Sequence, residues 1–374
     1  MSAHSKGMAI APAQCMERAA MSDRAAPPHG VMQGMGAYNR HAKLQASGVS
    51  RAATFLASAA ERVVASDEEP IVIVDYGSSQ GKNSLVPLCA AIGEIRSHLA
   101  PNRPILVFHV DQPSNDFNTL FEVLDSDAQR YSRDDANVFP GAIGRSFYER
   151  VLPHDYVHLA WSSYAVVWLS RLPMRIPGHF SISRSTGTVR AEFERQAARD
   201  WETFLALRAA ELRSGGRLVV VLPNHVGHTG FLGLLDHANA VLAEMVDAGE
   251  ISVQEREQMI LGSYPRQKHE LLAPFAPQGR FHNLSVEAYE TFPNPDPAWQ
   301  DYERDGDKAT LAERYALFFR ATFVPSLASA LVAQDEGRLR AFGDQMEEGL
   351  KRHLVREPAA LDILVQVLVL AKEP

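Results

Sequence analysis

Val74-Asp75-Tyr76-Gly77-Ser78-Ser79-Gln80-Gly81-Lys82-Asn83 follows the apolar run Ile71 to Val74 and precedes a helical pattern from about Asn83 to Leu99. A buried-type strand, a glycine turn and a helix in that order open a βαβ unit. Gly77 and Gly81 let the backbone bend sharply and approach a ligand that any Cβ would hold away, at the carboxyl end of the strand. The spacing D-x-G-x-x-x-G is not the dinucleotide fingerprint G-x-G-x-x-G, whose tight turn grips a pyrophosphate. A carboxylate ahead of the glycines suits a cofactor that has no phosphates and carries a cationic amino-acid end.

Working outward, a second strand from Ile105 to Val110 ends at Asp111, whose carboxylate can accept hydrogen bonds from both hydroxyls of a ribose. Taken singly, Asp75 and Asp111 also suit helix capping; with the two glycines they point to a nucleoside site. Further strands fit Val157 to Trp161, Leu218 to Leu222 after the turn Ser214-Gly215-Gly216, and Ile363 to Leu370. A helix with Ser50 as its N-cap is expected to run to about Val64. Short apolar runs alternating with helices predict an α/β protein, a Rossmann-like sheet sandwiched by helices. Between 226 and 336, helical patterns at 231–248 and 309–332 flank the Pro-rich Phe292-Pro293-Asn294-Pro295-Asp296-Pro297. The final strand lies beyond that segment, so 226–336 is expected as an inserted, mainly helical cap, and 31–225 with 337–374 as the cofactor-binding core. Residues 1–30 lack periodicity and are expected as a mobile tail.

Composition excludes several function classes. With 374 residues, 46% of them hydrophobic, the chain can bury a full core. Cys15 and Cys89 are the only cysteines, too few for a disulfide framework or a thiolate metal site. A formal net charge of −8 with dispersed Lys and Arg argues against a nucleic-acid groove, leaving a small molecule as the expected partner. No apolar run approaches the roughly 20 residues that cross a bilayer, and 1–30 lack a secretory apolar segment, so no membrane association and a cytoplasmic location are expected. His225, His228 and His237 have no firm carboxylate partner and read as surface histidines, so no metal is expected.

The segments DYGSSQGKN at 75–83, VDQPSNDFNTLF at 110–121, GRSFYERVLP at 144–153 and WSSYAVVWLS at 161–170 resemble the plant-type carboxyl methyltransferase family often called SABATH. That family includes the salicylate, benzoate and jasmonate methyltransferases and the N-methyltransferases of the caffeine pathway. Order and spacing hold from about Gly34 to Leu222. The resemblance implies S-adenosyl-L-methionine (SAM) as cofactor, S-adenosylhomocysteine (SAH) as its product and a homodimer. By matching position, Tyr38, Ser78, Asn83, Asp111, Gln112, Ser146 and Phe147 would line the SAM pocket together with Asp75, Gly77 and Gly81, Phe147 lying against the adenine. Gln45 in YNRHAKLQ and Trp168 would hold the acceptor carboxylate, and Tyr164, Val167 and Trp161 would wall the acceptor pocket. Ala42, Trp161 and Gln112 stand where the family usually has Ser, His and Leu. The high Ala and Arg content suits a microbial member.

The chemistry so implied is undemanding of side chains. A carboxylic acid with a pKa near 4 is already ionised at neutral pH and attacks without a base. Two neutral donors, the Gln45 amide and the Trp168 indole, would fix one carboxylate oxygen and leave the other free, whereas a bidentate Arg would engage both. The expected reaction is O-methylation of a small aromatic acid. N-methylation of a heterocycle, or a non-catalytic SAM-binding relative, are the alternatives. Phe231 and Met259 are expected to shape the acceptor pocket.

Overall fold

The computed structural model describes residues 30, 32–64, 69–100, 102–224 and 229–373. The expected tail, apart from Gly30, and His225 and His228 lie outside the described residues. Eight strands form: β1 (Ile71–Tyr76), β2 (Ile105–Asp111), β3 (Val138–Gly144), β4 (Val157–Ser163), β5 (Leu212–Asn224), β6 (Arg280–Phe281), β7 (Leu284–Pro293) and β8 (Leu364–Lys372). They lie in one sheet in the order β3-β2-β1-β4-β5-β8-β7-β6. β1 to β5 are parallel, while β8, β7 and β6 join antiparallel.

Every residue of β1 is buried, as a strand covered on both faces requires. Its alternate side chains serve two cores. Ile71 and Ile73 pack with Val107, Leu159 and Val219 under the helices Lys43–Ala60 and Leu85–His98. Val72, Val74 and Tyr76 pack with Val220 and Leu368 under the helix Gly187–Glu211, through Trp201, Phe204 and Leu205. The α/β, Rossmann-like expectation holds.

Local details depart from the sequence reading. The helix expected from Ser50 begins at Lys43. Ser50 is not its cap but an interior residue, its hydroxyl donating to the Ala46 carbonyl at 3.2 Å. β3 was not anticipated because Val138-Phe139-Pro140-Gly141 breaks any strand pattern; as the sheet's edge it tolerates Pro140. β7 falls inside the segment expected as a helical cap, so that segment returns to the sheet midway. The helix Glu336–Arg356, grouped by sequence with the core, buries Phe342, Met346 and Leu350 in the apolar cluster of the helices Thr229–Asp247 and Lys308–Thr322. Leu44 and Trp168 belong to that cluster too, joining it to the sheet. Among the described residues no helix is long and apolar enough to cross a membrane.

Candidate active site

Strand order reverses between β1 and β4, and the carboxyl ends there enclose a crevice of about 890 Å³. Gly77, Ser79, Asp111, Gln112, Phe147 and Ser163 line it. Gly77 has φ +84°, and a Cβ on it would overlap the Ala165 side chain, so the turn of the opening motif requires glycine on both counts. Asp111 accepts backbone N–H bonds from Ser79 and Gln112, each at 2.7 Å. Burial pushes its carboxyl up to about 6, against those two bonds and with help from the negative charge of Asp75. Tyr38 closes the crevice from the side; burial and then Asp111 raise its phenol, which bonds to the Asn83 side chain.

Several expected cofactor residues sit behind this surface. Asp75 does not line the crevice: it faces its register partner His109 on β2, 3.0 Å from Nδ1, and His109 Nε2 lies 2.9 Å from the Tyr131 hydroxyl. Strand alternation turns Tyr76, with Val72 and Val74, to the face covered by Gly187–Glu211 and turns Asp75, with Ile71 and Ile73, into the opposite core. Gly81, at φ +80°, packs on Leu120 rather than on the crevice. Asn83 acts through Tyr38, and the Ser146 hydroxyl accepts from the Tyr148 N–H at 3.2 Å. Ser78 is buried with its hydroxyl unpartnered.

Phe147 is held by groups that periodicity did not single out. Arg208 and Glu211, both fully buried and 2.9 Å apart, lie at the end of Gly187–Glu211. Arg208 donates to the carbonyls of Phe147 and Glu149, at 2.6 and 3.1 Å. Glu211 accepts from the N–H groups of Val151 and Leu152 and from the Tyr76 hydroxyl. In sequence, an Arg and a Glu three apart at a helix end look like a solvated pair.

A second cavity of about 790 Å³ adjoins the first, and Met32, Tyr38, Tyr164 and Trp168 line both. Gln45, Val167, Phe231, Leu235, Phe318 and Phe323 line the second alone. The structure thus brings Gln45, Trp168, Tyr164 and Val167 together around one space. Trp161 is not among them: fully buried, it points to the core face that carries Val49, Ala52 and Leu56. Its β4 position alternates with those that face Gly187–Glu211, and its ring packs beneath the helix Lys43–Ala60 rather than in the cavity lining. Met259 is likewise core, while Phe231 faces the cavity. Sequence reasoning missed Leu261, Ser263, Pro265, Asn294 and Thr322 on the far wall. An isolated bridge between Trp168 and Ser263 places the first three, a long-range pairing with no local signal. No described residue of this lining is Asp, Glu, His, Lys, Arg or Cys.

The first crevice fits SAM. Among the described residues it is lined by the carboxylates Asp111 and Asp116 and by no Lys or Arg, which suits a phosphate-free cation. The hydroxyls of Ser79 and Ser163 are buried there without partners. Among the described residues no cluster could hold a metal ion.

Comparison with known proteins agrees with this geometry. Residues 29–373 match the family described as SAM dependent carboxyl methyltransferase. Methyltransferase FUS9 of Gibberella fujikuroi is 32% identical over 251 residues, 66% of this chain and 67% of that protein. Anthranilate O-methyltransferase 2 of Zea mays is 27% identical, covering 78% of this chain and 84% of its own. A loganic acid methyltransferase solved with SAH superposes with a TM-score of 0.73 at 22% identity, covering 93% of this chain and 99% of that one.

Proposed function

Since the chain belongs to the SAM-dependent carboxyl methyltransferase family, we propose that it transfers the methyl group of SAM to the carboxylate of a small acid with an aromatic body, giving a methyl ester. One observation carries this reading: the acceptor cavity offers no described side chain that could serve as a base near neutrality. Its titratable groups are the phenols of Tyr38 and Tyr164, and burial pushes both upward, away from the ionised form. The acceptor must therefore arrive with a nucleophile that needs no proton removed in the cavity, as an ionised carboxylate does.

SAM supplies an electrophilic methyl group. The residues of this chain supply alignment and exclusion of water. Gln45 and Trp168 would bind one carboxylate oxygen by neutral donors, leaving the second oxygen directed at the wall shared with the cofactor crevice. Tyr38, Tyr164 and Trp168 form that wall. Phe231, Phe318 and Phe323, from the cap helices and their junction, offer aromatic surface for the body of the acid.

The test is label transfer from methyl-tritiated SAM to a panel of aromatic, indolic and aliphatic acids, their amides and a set of N-heterocycles. Base-labile product from acids and none from amides is the expected result. Base-stable product from heterocycles alone would overturn the proposal in favour of N-methylation.

A further inference from the structure

We infer that the methyl acceptor carries a hydroxyl group besides its carboxylate, and that Asn294 is the residue that selects for it. This deepens the carboxyl methylation proposed above and rests on it. Asn294 lies just past β7 in the Pro-rich turn, 7% exposed and lining the acceptor cavity. Its backbone N–H donates to the Ile363 carbonyl at 2.8 Å and its Nδ2 to the Leu44 carbonyl at 3.0 Å. A carbonyl only accepts, so the Leu44 bond fixes which way the amide is turned. Oδ1 is left buried with no partner, on a residue that lines the acceptor cavity.

Tyr164 stands beside it, at φ +56°, its hydroxyl equally buried and unpartnered. Both oxygens crowd the same face of the helix Lys43–Ala60: a Cβ on Gly48 would overlap each of them. A glycine inside a helix is unfavourable, and here its missing side chain is what admits the two polar groups. Gln45, one turn earlier on that face, adds a third unpartnered buried oxygen, Oε1.

A carboxylate cannot satisfy Asn294 Oδ1, because both are acceptors and would repel. An apolar ligand would leave it unpaired, which is costly in a buried site. A hydroxyl satisfies both neighbours at once, donating to Asn294 Oδ1 and accepting from the Tyr164 hydroxyl. An amino N–H would satisfy Asn294 alone.

The experiment compares kcat/KM of the full-length protein, with saturating SAM, for matched aromatic acids with and without a hydroxyl at each ring position. At one position the hydroxylated acid is expected to be preferred by about ten- to a hundredfold. Asn294→Leu should collapse that ratio towards one through the hydroxylated acid, with SAH affinity retained as the sign of an intact fold. Gly48→Ala, which fills the space between the two oxygens, should collapse it too and serves if Asn294→Leu does not fold. No preference at any position, or a preference that survives both variants, would overturn the inference while leaving carboxyl methylation standing. Failure of every acid to accept the methyl group would overturn both.

Discussion

The backbone N–H of Ser79 donates to Asp111 Oδ2 at 2.7 Å, so the glycine turn after β1 is tied to the acidic end of β2 by the carboxylate that faces the cofactor crevice. With the Gln112 N–H on Oδ1, one lone pair of each oxygen is held and the others are left for ribose hydroxyls. The pair also sets a pH dependence. The Asp111 carboxyl is raised to about 6, so below that pH the free protein holds it protonated and it loses acceptor capacity. SAH affinity is therefore expected to be full above about pH 7 and to fall as pH drops through 6, binding near pH 6 releasing a proton. Calorimetry in buffers of different ionisation enthalpy measures both; pH-independent affinity from 5 to 8 would refute the role. Asp111→Ala should weaken SAH by about 1.5–3 kcal/mol at pH 7.5.

Gly77 cannot gain a side chain cheaply, since it combines a positive φ with a collision against Ala165. Gly77→Ala should cost about 1–3 kcal/mol of stability from the backbone alone and more from the overlap. Adding Ala165→Gly removes the overlap but not the backbone strain, so partial recovery of the melting temperature is expected. Full recovery would show that strain at Gly77 contributes nothing.

The buried Arg208–Glu211 pair is expected to act on stability and on the adenine wall together. Arg208→Met leaves Glu211 uncompensated and frees the Phe147 carbonyl, and should destabilise by about 3–5 kcal/mol. SAH affinity should fall in the same variant at temperatures where it is still folded. Denaturant melts with an unchanged midpoint would rule this out.

Gln45→Ala and Trp168→Phe are expected to slow methyl transfer by about ten- to a hundredfold through lost alignment, with SAH affinity much less affected in Gln45→Ala than in Trp168→Phe, because Trp168 lines both cavities and Gln45 only the second. Rapid-quench single turnovers with saturating SAM should be flat from about pH 6.5 to 9, because neither the acid nor these donors titrate there. A rise with a midpoint near 7 would reveal a base.

By itself the sequence determined what depends on neighbours along the chain. The run Ile71 to Val74, the glycines at 77 and 81 and Asp111 at a strand end specify a strand, a turn and a second strand whose ends meet a ligand, because strand burial and backbone freedom are local properties. The segments at 75–83, 110–121, 144–153 and 161–170 were legible through their resemblance to a known family. Tertiary structure decided which face each residue takes once strands pair. It sent Asp75 to His109 and Trp161 into the core, both displaced by the two-residue alternation of strands whose partners the sequence does not announce. It also brought Asn294, from a turn after β7, to the carbonyl of Leu44 and beside the hydroxyl of Tyr164. Such a meeting has no periodicity to betray it, since it exists only after the antiparallel strands β7 and β8 have closed the sheet against the helix that carries Gln45.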